Sequence, residues 1–249
     1  MYQYIAYPFD VAKTNRILNT QFNKECGENL GKELVAVYER GQFKNGAFRG
    51  MMPLFGITMI NNLGGGYTFD VTGLKLLACT TLTQPLNILM TQRQVINTAT
   101  FAEPSYKQIM SNWGANLPKL VTLGYTAALA RNAFLMMAFL PKTLGNEWMP
   151  MDAGFALGAV ALSHPFEVAR VLIVCKEQNR MIGSTFSTLQ NLYASEGAAG
   201  LFRGFVPRTI HAFPLLFALT TTLESSGDVS LFSGIRLNPM LGAPKISSD

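Results

Sequence analysis

The sequence predicts an all-α membrane protein made of three tandem repeats, each a long helix, a short helix and a second long helix. Composition is the first reason: the 249 residues are 49% hydrophobic and only 14% charged, whereas about 25% are charged in an average soluble domain. The second reason is that several stretches of membrane-spanning length are mostly apolar. The third is that a short proline-containing motif recurs three times at nearly constant spacing.

Charge and cysteine content limit the classes of partner and cofactor that we expect. Lys and Arg outnumber Asp and Glu by 20 to 15, but they are scattered and form no basic block. This pattern favours anionic lipid over nucleic acid as a partner. The three cysteines form no C-x-x-C pair and only two histidines are present, so we expect no metal site and no cofactor. We also find no hydrolase motif and expect that the protein is not an enzyme.

Four stretches have the length and apolar content of membrane helices, at residues 71–92, 120–140, 151–175 and 205–223. Each carries one to three charges, which we expect to face the interior of a bundle because charge in a bilayer is costly. Gly154 and Gly158 have the spacing that lets membrane helices pack closely. The alternative is a soluble helical protein with a buried core, and we favour the bundle. No signal peptide or basic presequence is recognisable, so we expect internal targeting.

The repeat rests on two motifs that share one register. The sequence YPFDVAK at residues 7–13 returns as HPFEVAR at 164–170, with a weaker copy, QPLNILM, at 84–90. The three prolines, Pro8, Pro85 and Pro165, are 77 and 80 residues apart. A second motif ends in Gly50, Gly124 and Gly204, which follow these prolines by 42, 39 and 39 residues. Two motifs in one register indicate internal repetition rather than chance.

An amphipathic stretch lies between the two motifs of each repeat and predicts a short surface helix. Its apolar residues in the second repeat are Tyr106, Ile109, Met110 and Trp113, and in the third Phe186, Leu189, Leu192 and Tyr193. The predicted units are residues 1–66, 67–145 and 146–224. Residues 225–249 are rich in Gly, Pro and Ser, which predicts an extended tail.

These motifs resemble those of the mitochondrial carrier family, in which Pro-x-Asp/Glu-x-x-Lys/Arg is followed by an acidic-Gly and an aromatic-basic-Gly motif. Repeat one carries Glu39-Arg40-Gly41 and the motif FRG at residues 48–50, and repeat three carries Glu196-Gly197 and FRGFVP at 202–207. Repeat two matches the family pattern mainly through the spacing of its motifs along the chain. The resemblance implies a six-helix, threefold pseudosymmetric bundle in the mitochondrial inner membrane. Such a bundle ordinarily exchanges small solutes through a central cavity by alternating access.

The resemblance also implies a gate on the matrix side, in which the acid of one motif pairs with the base of the next. The six positions are Asp10, Lys13, Asn87, Met90, Glu167 and Arg170. Met90 is not a base and Asn87 is not an acid, so only Glu167 with Lys13 is expected as a complete pair. Asp10 and Arg170 are expected to lack their ring partners, which is costly for buried charges unless other groups compensate.

Chain length predicts that the first two long helices are short. Only seven residues precede Pro8, about 10 Å of helix, whereas a span takes about 20 residues. The 35 residues from Gly50 to Pro85 must hold a helix, the Gly64-Gly65-Gly66 loop and most of another helix. We therefore expect the second helix, near residues 51–62, to be short as well.

In the family, the main substrate contacts lie on the even-numbered helices beyond the aromatic-basic-Gly motif. Adding seven residues to each glycine gives Ile57, Arg131 and His211, with Asn132 beside them. The two basic residues suit an anionic solute. Alternatively, Arg131 reaches the membrane interface or pairs with an acid on the following segment, Glu147 or Asp152.

The retained glycine motifs resemble the cardiolipin sites of the family, where backbone N–H groups at helix starts hold a lipid phosphate. The candidate residues are Gly41, Arg49, Gly50, Gly197, Arg203 and Gly204. Cardiolipin is therefore expected as a structural lipid. In the alternative interpretation, Arg49 and Arg203 only extend toward the membrane interface.

Loss of gate residues with retention of packing and lipid motifs favours a carrier fold reused as an accessory subunit. Its partners would be subunits of a large inner-membrane complex, either the respiratory chain or ATP synthase. The alternative is a working carrier that exchanges a small anionic metabolite by alternating access.

Overall fold

The computed structural model describes residues 5–27, 29–42, 48–63, 74–96, 104–113, 122–139, 149–176 and 184–225. Within these ranges it contains α-helices, one short 3₁₀ helix, Met137–Phe139, and no β-strand. The α-helices are α1 (Tyr7–Leu18), α2 (Gln21–Glu25), α3 (Leu30–Gln42), α4 (Met52–Leu63), α5 (Leu74–Gln94), α6 (Tyr106–Trp113), α7 (Tyr125–Met136), α8 (Met149–Lys176), α9 (Thr185–Leu201) and α10 (Phe205–Ser225). The all-α prediction is therefore confirmed for the described residues.

The helices follow the predicted elements closely. The four apolar stretches correspond to α5, α7, α8 and α10, and the amphipathic stretches to α6 and α9. The predicted short second helix corresponds to α4, which has 12 residues. The Gly64-Gly65-Gly66 loop and residues 226–249 lie outside the described ranges.

Local sequence chemistry sets several helix ends. Pro8 lies in the first turn of α1, where a missing backbone N–H costs nothing. The hydroxyls of Thr20 and Ser184 accept from backbone N–H groups three residues later and so cap α2 and α9. Gly197 takes a left-handed φ of 66° and kinks α9 near its end.

Six of the described helices pack together, and we call this group the ring. Three of them, α1, α5 and α8, carry the repeated prolines, and we call these the proline helices. The other three, α4, α7 and α10, begin just after the repeated glycines, and we call these the glycine helices. Each glycine helix packs against the next proline helix: α4 against α5, α7 against α8, and α10 back against α1. The proline helices also contact one another, which places their motifs together inside the ring.

The repeated glycines allow this packing because each approaches the next proline helix closely. Gly50, Gly124 and Gly204 have left-handed φ values of 73°, 62° and 78°. A Cβ atom at Gly50 would lie 2.9 Å from the carbonyl oxygen of Met90, and one at Gly204 3.0 Å from that of Lys13. At Gly124 the nearest atoms belong to Arg170 and Val174, starting at 3.5 Å. Each glycine thus faces the base position of the next proline motif.

A hydrogen bond joins the two long helices within each repeat. The residue before each proline donates to the carbonyl of the residue before the repeated glycine. The three bonds are Tyr7 Oη to Arg49 O at 3.0 Å, Gln84 Nε2 to Leu123 O at 2.6 Å, and His164 Nε2 to Arg203 O at 3.1 Å. Three different side chains therefore make the same connection.

Removing the hydroxyl of Tyr7 is expected to destabilise the fold, because it is fully buried and also accepts from Gln94 Nε2 at 3.1 Å. We expect Tyr7→Phe to cost about 1–2 kcal/mol, or roughly 2–8 °C in the unfolding midpoint of the full chain in detergent. The matched control is Tyr193→Phe, because that side chain is 61% exposed. Equal midpoints for both variants would contradict this role of Tyr7.

The outer surface of the ring is apolar at many positions. Exposed apolar side chains include Met52, Phe55 and Met59 on α4, Leu157 and Leu162 on α8, and Val206 and Ile210 on α10. In the described residues, one helix, Pro150–Cys175, is long and apolar enough to cross a membrane. No atom lies within 4 Å of a Cβ built at Gly154 or Gly158. The expectation that these two glycines mark a close helix contact is therefore wrong within the described part of the chain.

A buried charge network as the candidate functional site

Glu167 on α8 lies at the centre of a buried charge network and contacts three basic side chains. Its Oε1 accepts from Lys13 Nζ of α1 at 2.7 Å, and its Oε2 accepts from Arg131 Nη1 of α7 at 3.0 Å. Arg170, one turn along α8, donates through Nε and Nη2, both at 2.9 Å. The predicted Glu167–Lys13 contact is therefore present, whereas its role as a gate stays a prediction.

Asp10 has more partners than the sequence suggested. Its carboxylate accepts from Lys13 Nζ and from Gln94 Nε2, each at 2.6 Å. Because Met90 packs instead into an apolar cluster with Tyr7, Gln94 one turn further along α5 reaches the carboxylate. Asp10 thus has no basic partner among the described residues of α5, as the sequence predicts, and the neutral side chain of Gln94 compensates for it.

Arg170 also has a partner on α5. Its Nη1 donates to Thr91 Oγ1 at 3.0 Å, next to the position where Asn87 replaces the expected acid. Thr91 itself donates to the backbone carbonyl of Asn87 at 2.7 Å. The acidic partner expected at position 87 is absent, as the sequence predicts, and a contact between Arg170 and the hydroxyl of Thr91 takes the place of that ion pair. Thr91 and Gln94 lie one and four residues after Met90, but α5 carries many other polar side chains, so the sequence did not single them out.

The predicted substrate residues divide into two groups. Arg131 and Asn132 lie together, since Asn132 Oδ1 accepts from Arg131 Nε and Nη2 and its Nδ2 donates to Thr80 Oγ1 at 3.0 Å. The sequence left open a pair with Glu147 or Asp152, and the structure pairs Arg131 with Glu167. His211 Nδ1 lies 3.8 Å from Asp10 Oδ1, on the other side of the network.

Ile57 is apart from this group. It packs against the apolar cluster that contains Tyr7 and Met90, with no polar atom to offer. The network therefore includes two of the three candidate substrate positions on the glycine helices, Arg131 and His211. The third position, Ile57, lies on an apolar surface.

The members of the network differ in solvent exposure, and their charges do not balance. The side chains of Asp10, Lys13, Glu167 and Arg170 are at most 6% exposed, whereas Arg131 is 15% and His211 22% exposed. Three permanent cations face two carboxylates, which leaves one excess positive charge when His211 is neutral. A small anion entering beside Arg131 and His211 would neutralise that charge.

The candidate lipid residues lie at the glycine motifs but differ in surroundings. Arg49 is fully buried, and its Nε donates to the carbonyl of Arg93 at 2.7 Å. The interpretation that it extends to the membrane interface is therefore wrong. Arg203 is partly exposed, pairs with Glu196 and donates to the carbonyl of Ile17 at 3.3 Å. Gly41 lies near the end of α3, and Gly197 lies at the kink of α9.

Comparisons with known proteins agree with the motifs. A family model described as mitochondrial carrier protein matches residues 151–234. The chain is 28% identical over 116 residues to mitochondrial thiamine pyrophosphate carrier 1 of Neurospora crassa, a match over 42% of this chain and 34% of that protein. It is 27% identical over 191 residues to the mitochondrial glutathione transporter of Homo sapiens, over 67% of this chain and 52% of that protein.

The matched regions span about a third and about half of the lengths of these two relatives. Both names denote transport proteins rather than enzymes, in agreement with the expectation that this protein is not an enzyme. The repeated motifs, the helical structure and these matches all point to similarity with the mitochondrial carriers, and residues 151–234 are the part that matches the family model.

Proposed function

We propose that this protein carries a small anionic solute across the mitochondrial inner membrane by alternating access. The observation that carries the proposal is the joining of Arg131 and His211, from two different glycine helices, to one buried network with an excess positive charge. They are also its most accessible ionisable members. The relatives support the proposal, since one is named for thiamine pyrophosphate and the other for glutathione, both of which bear acidic groups.

The proposal includes a multi-pass bundle with threefold pseudosymmetry. Two sets of equivalent contacts support it: the three glycines that approach the next proline helix, and the three hydrogen bonds between helices of one repeat. Charged residues inside and apolar residues outside are the arrangement expected in a bilayer.

The gate in this proposal is asymmetric. One ion pair, Lys13 with Glu167, and two contacts between a charged and a neutral side chain, Asp10 with Gln94 and Arg170 with Thr91, connect the three proline helices. These contacts close one end of the cavity and break when it opens. Hydrogen bonds to a charged group remain strong enough for this role.

The accessory-subunit interpretation is less well supported than transport. It depended on the incomplete ring of charges, and the neutral side chains of Gln94 and Thr91 contact Asp10 and Arg170 where the charged partners are missing. It also depended on short first and second helices, and residues 1–4 and 64–73 lie outside the described ranges. Neither relative is named as a subunit of a larger assembly.

Cardiolipin is proposed as a structural lipid at the glycine motifs. The left-handed glycines at 50 and 204 lie just before α4 and α10, and helix starts of this kind can hold a lipid phosphate through backbone N–H groups. Because Arg49 is buried, the backbone rather than this side chain would hold a lipid phosphate there.

Reconstitution of the full chain into cardiolipin-containing liposomes tests the function. Thiamine pyrophosphate, glutathione, dicarboxylates and phosphate esters are the probes for uptake. Arg131→Gln removes a charged contact, so we expect about 10- to 100-fold weaker apparent affinity for the transported anion. Lys107→Gln is the matched control, since Lys107 is an exposed residue on α6 remote in sequence from the network.

The expected pattern is uptake by the wild type and the Lys107 variant and strongly reduced uptake by the Arg131 variant. Uptake of none of the probes by well-folded wild type, or recovery of the native protein only within a large inner-membrane complex, would contradict the proposal.

A further inference from the structure

Arg208 is a buried cation outside the charge network. It lies on α10 and is 4% exposed. Its Nη2 donates to Ser163 Oγ at 2.6 Å and its Nη1 to the carbonyl of Ser163 at 3.1 Å. In the described part of the chain, no carboxylate forms an ion pair with it.

His164 does not alter the charge of Arg208. Its Nε2 lies 3.1 Å from the carbonyl of Arg203 and must donate a proton, because a carbonyl only accepts. Its Nδ1, 3.4 Å from Arg208 Nη1, therefore accepts from the guanidinium. The imidazole is neutral in this arrangement, and the guanidinium keeps its full charge.

Arg208 connects α10 to α8, and on each of these helices the connection lies one turn from a member of the charge network. Ser163 is one turn before Glu167 on the same face of α8, and Arg208 is one turn before His211 on α10. With Arg208 included, the described residues in and beside the network comprise four cations, Lys13, Arg131, Arg170 and Arg208, and two carboxylates, Asp10 and Glu167. The buried excess is then two positive charges.

We propose that the solute carries two negative charges and that Arg208 sets this preference; the inference rests on the proposed function. Two excess cations in a buried site are costly, and a dianion removes the cost, whereas a monoanion leaves one charge uncompensated. Arg208 acts through its field, because its hydrogen bonds to Ser163 and His164 hold the guanidinium against α8. It is therefore a specificity-determining residue, while Arg131 and His211 are the contacts.

Matched ligands that differ by one charge test the preference. Succinate and glutarate are compared with their monoamides at constant ionic strength, with thermal unfolding of the detergent-solubilised full chain and competition for uptake as readouts. We expect apparent binding of the dianions by the wild type to be at least about tenfold tighter than that of the monoamides. Arg208→Gln is expected to bring this ratio close to one, and Arg208→Lys to preserve it.

Ser163→Ala distinguishes an effect of the Arg208 charge from an effect on stability. It removes the hydroxyl that accepts from Arg208 and leaves the guanidinium in place. If Arg208 only ties α10 to α8, Ser163→Ala and Arg208→Gln will both lower stability and leave the dianion-to-monoamide ratio unchanged, which overturns the proposal. Should Arg208→Gln fail to fold, the wild-type ratio decides alone: equal or tighter binding of the monoamides overturns it. Failure to bind any anion would instead contradict the proposed function itself.

Discussion

Replacing Glu167 with glutamine is expected to lower the unfolding midpoint of the full chain by about 10 °C or more and to abolish transport. The carboxylate is the common acceptor for Lys13, Arg131 and Arg170 and is almost completely buried. A neutral amide would leave Arg131 and Arg170 without a carboxylate partner and Lys13 with Asp10 alone, and removing one partner of a buried ion pair typically costs about 3–5 kcal/mol. Thermal unfolding in detergent and uptake into liposomes measure the two effects.

Glu196→Gln is the control for loss of one carboxylate. Glu196 pairs with Arg203 on the partly exposed surface of α9, where an ion pair contributes about 1 kcal/mol or less. A second variant strengthens the test: Arg170→Met added to Glu167→Gln removes one of the stranded cations and is expected to recover part of the lost stability. If Glu167→Gln and Glu196→Gln have the same midpoint, the network does not have the assigned energetic role.

Gly50→Ala is expected to destabilise the fold by about 2–4 kcal/mol, because two costs add. The φ of 73° is unfavourable for any residue with a Cβ atom, and that atom would lie 2.9 Å from the backbone carbonyl oxygen of Met90. A backbone atom cannot move aside as a flexible side chain can. The start of α4 would therefore be pushed away from α5.

Gly154→Ala provides a control with the opposite expected sign. Gly154 is an exposed residue inside α8, and a Cβ there would meet no atom within 4 Å. Alanine should stabilise the helix by about 0.5–1 kcal/mol. The difference between the two midpoints is the measurement, and a Gly50→Ala midpoint equal to or above that of Gly154→Ala would show that the close approach is not needed.

The sequence alone predicted the features that depend on local periodicity. Apolar spacing located the helices from α5 to α10 within a few residues, and the recurrence of Pro8, Pro85 and Pro165 defined three repeats. Adding a fixed offset to each repeated glycine selected Arg131 and His211, which both join the charge network. The helix predictions succeed because a helix repeats every 3.6 residues whatever surrounds it, whereas the three repeats stay a prediction.

The tertiary structure alone decided which side chains meet across helices. Gln94 and Thr91 replace the expected partners of Asp10 and Arg170, and Arg208 lies beside Glu167 although 41 residues separate them. The physical reason is that contact between helices depends on their rotation and axial offset, and a change of less than one turn selects a different residue. The sequence thus determined the repeat, the helices and the candidate positions, and helix packing determined the partners and the charge balance of the site.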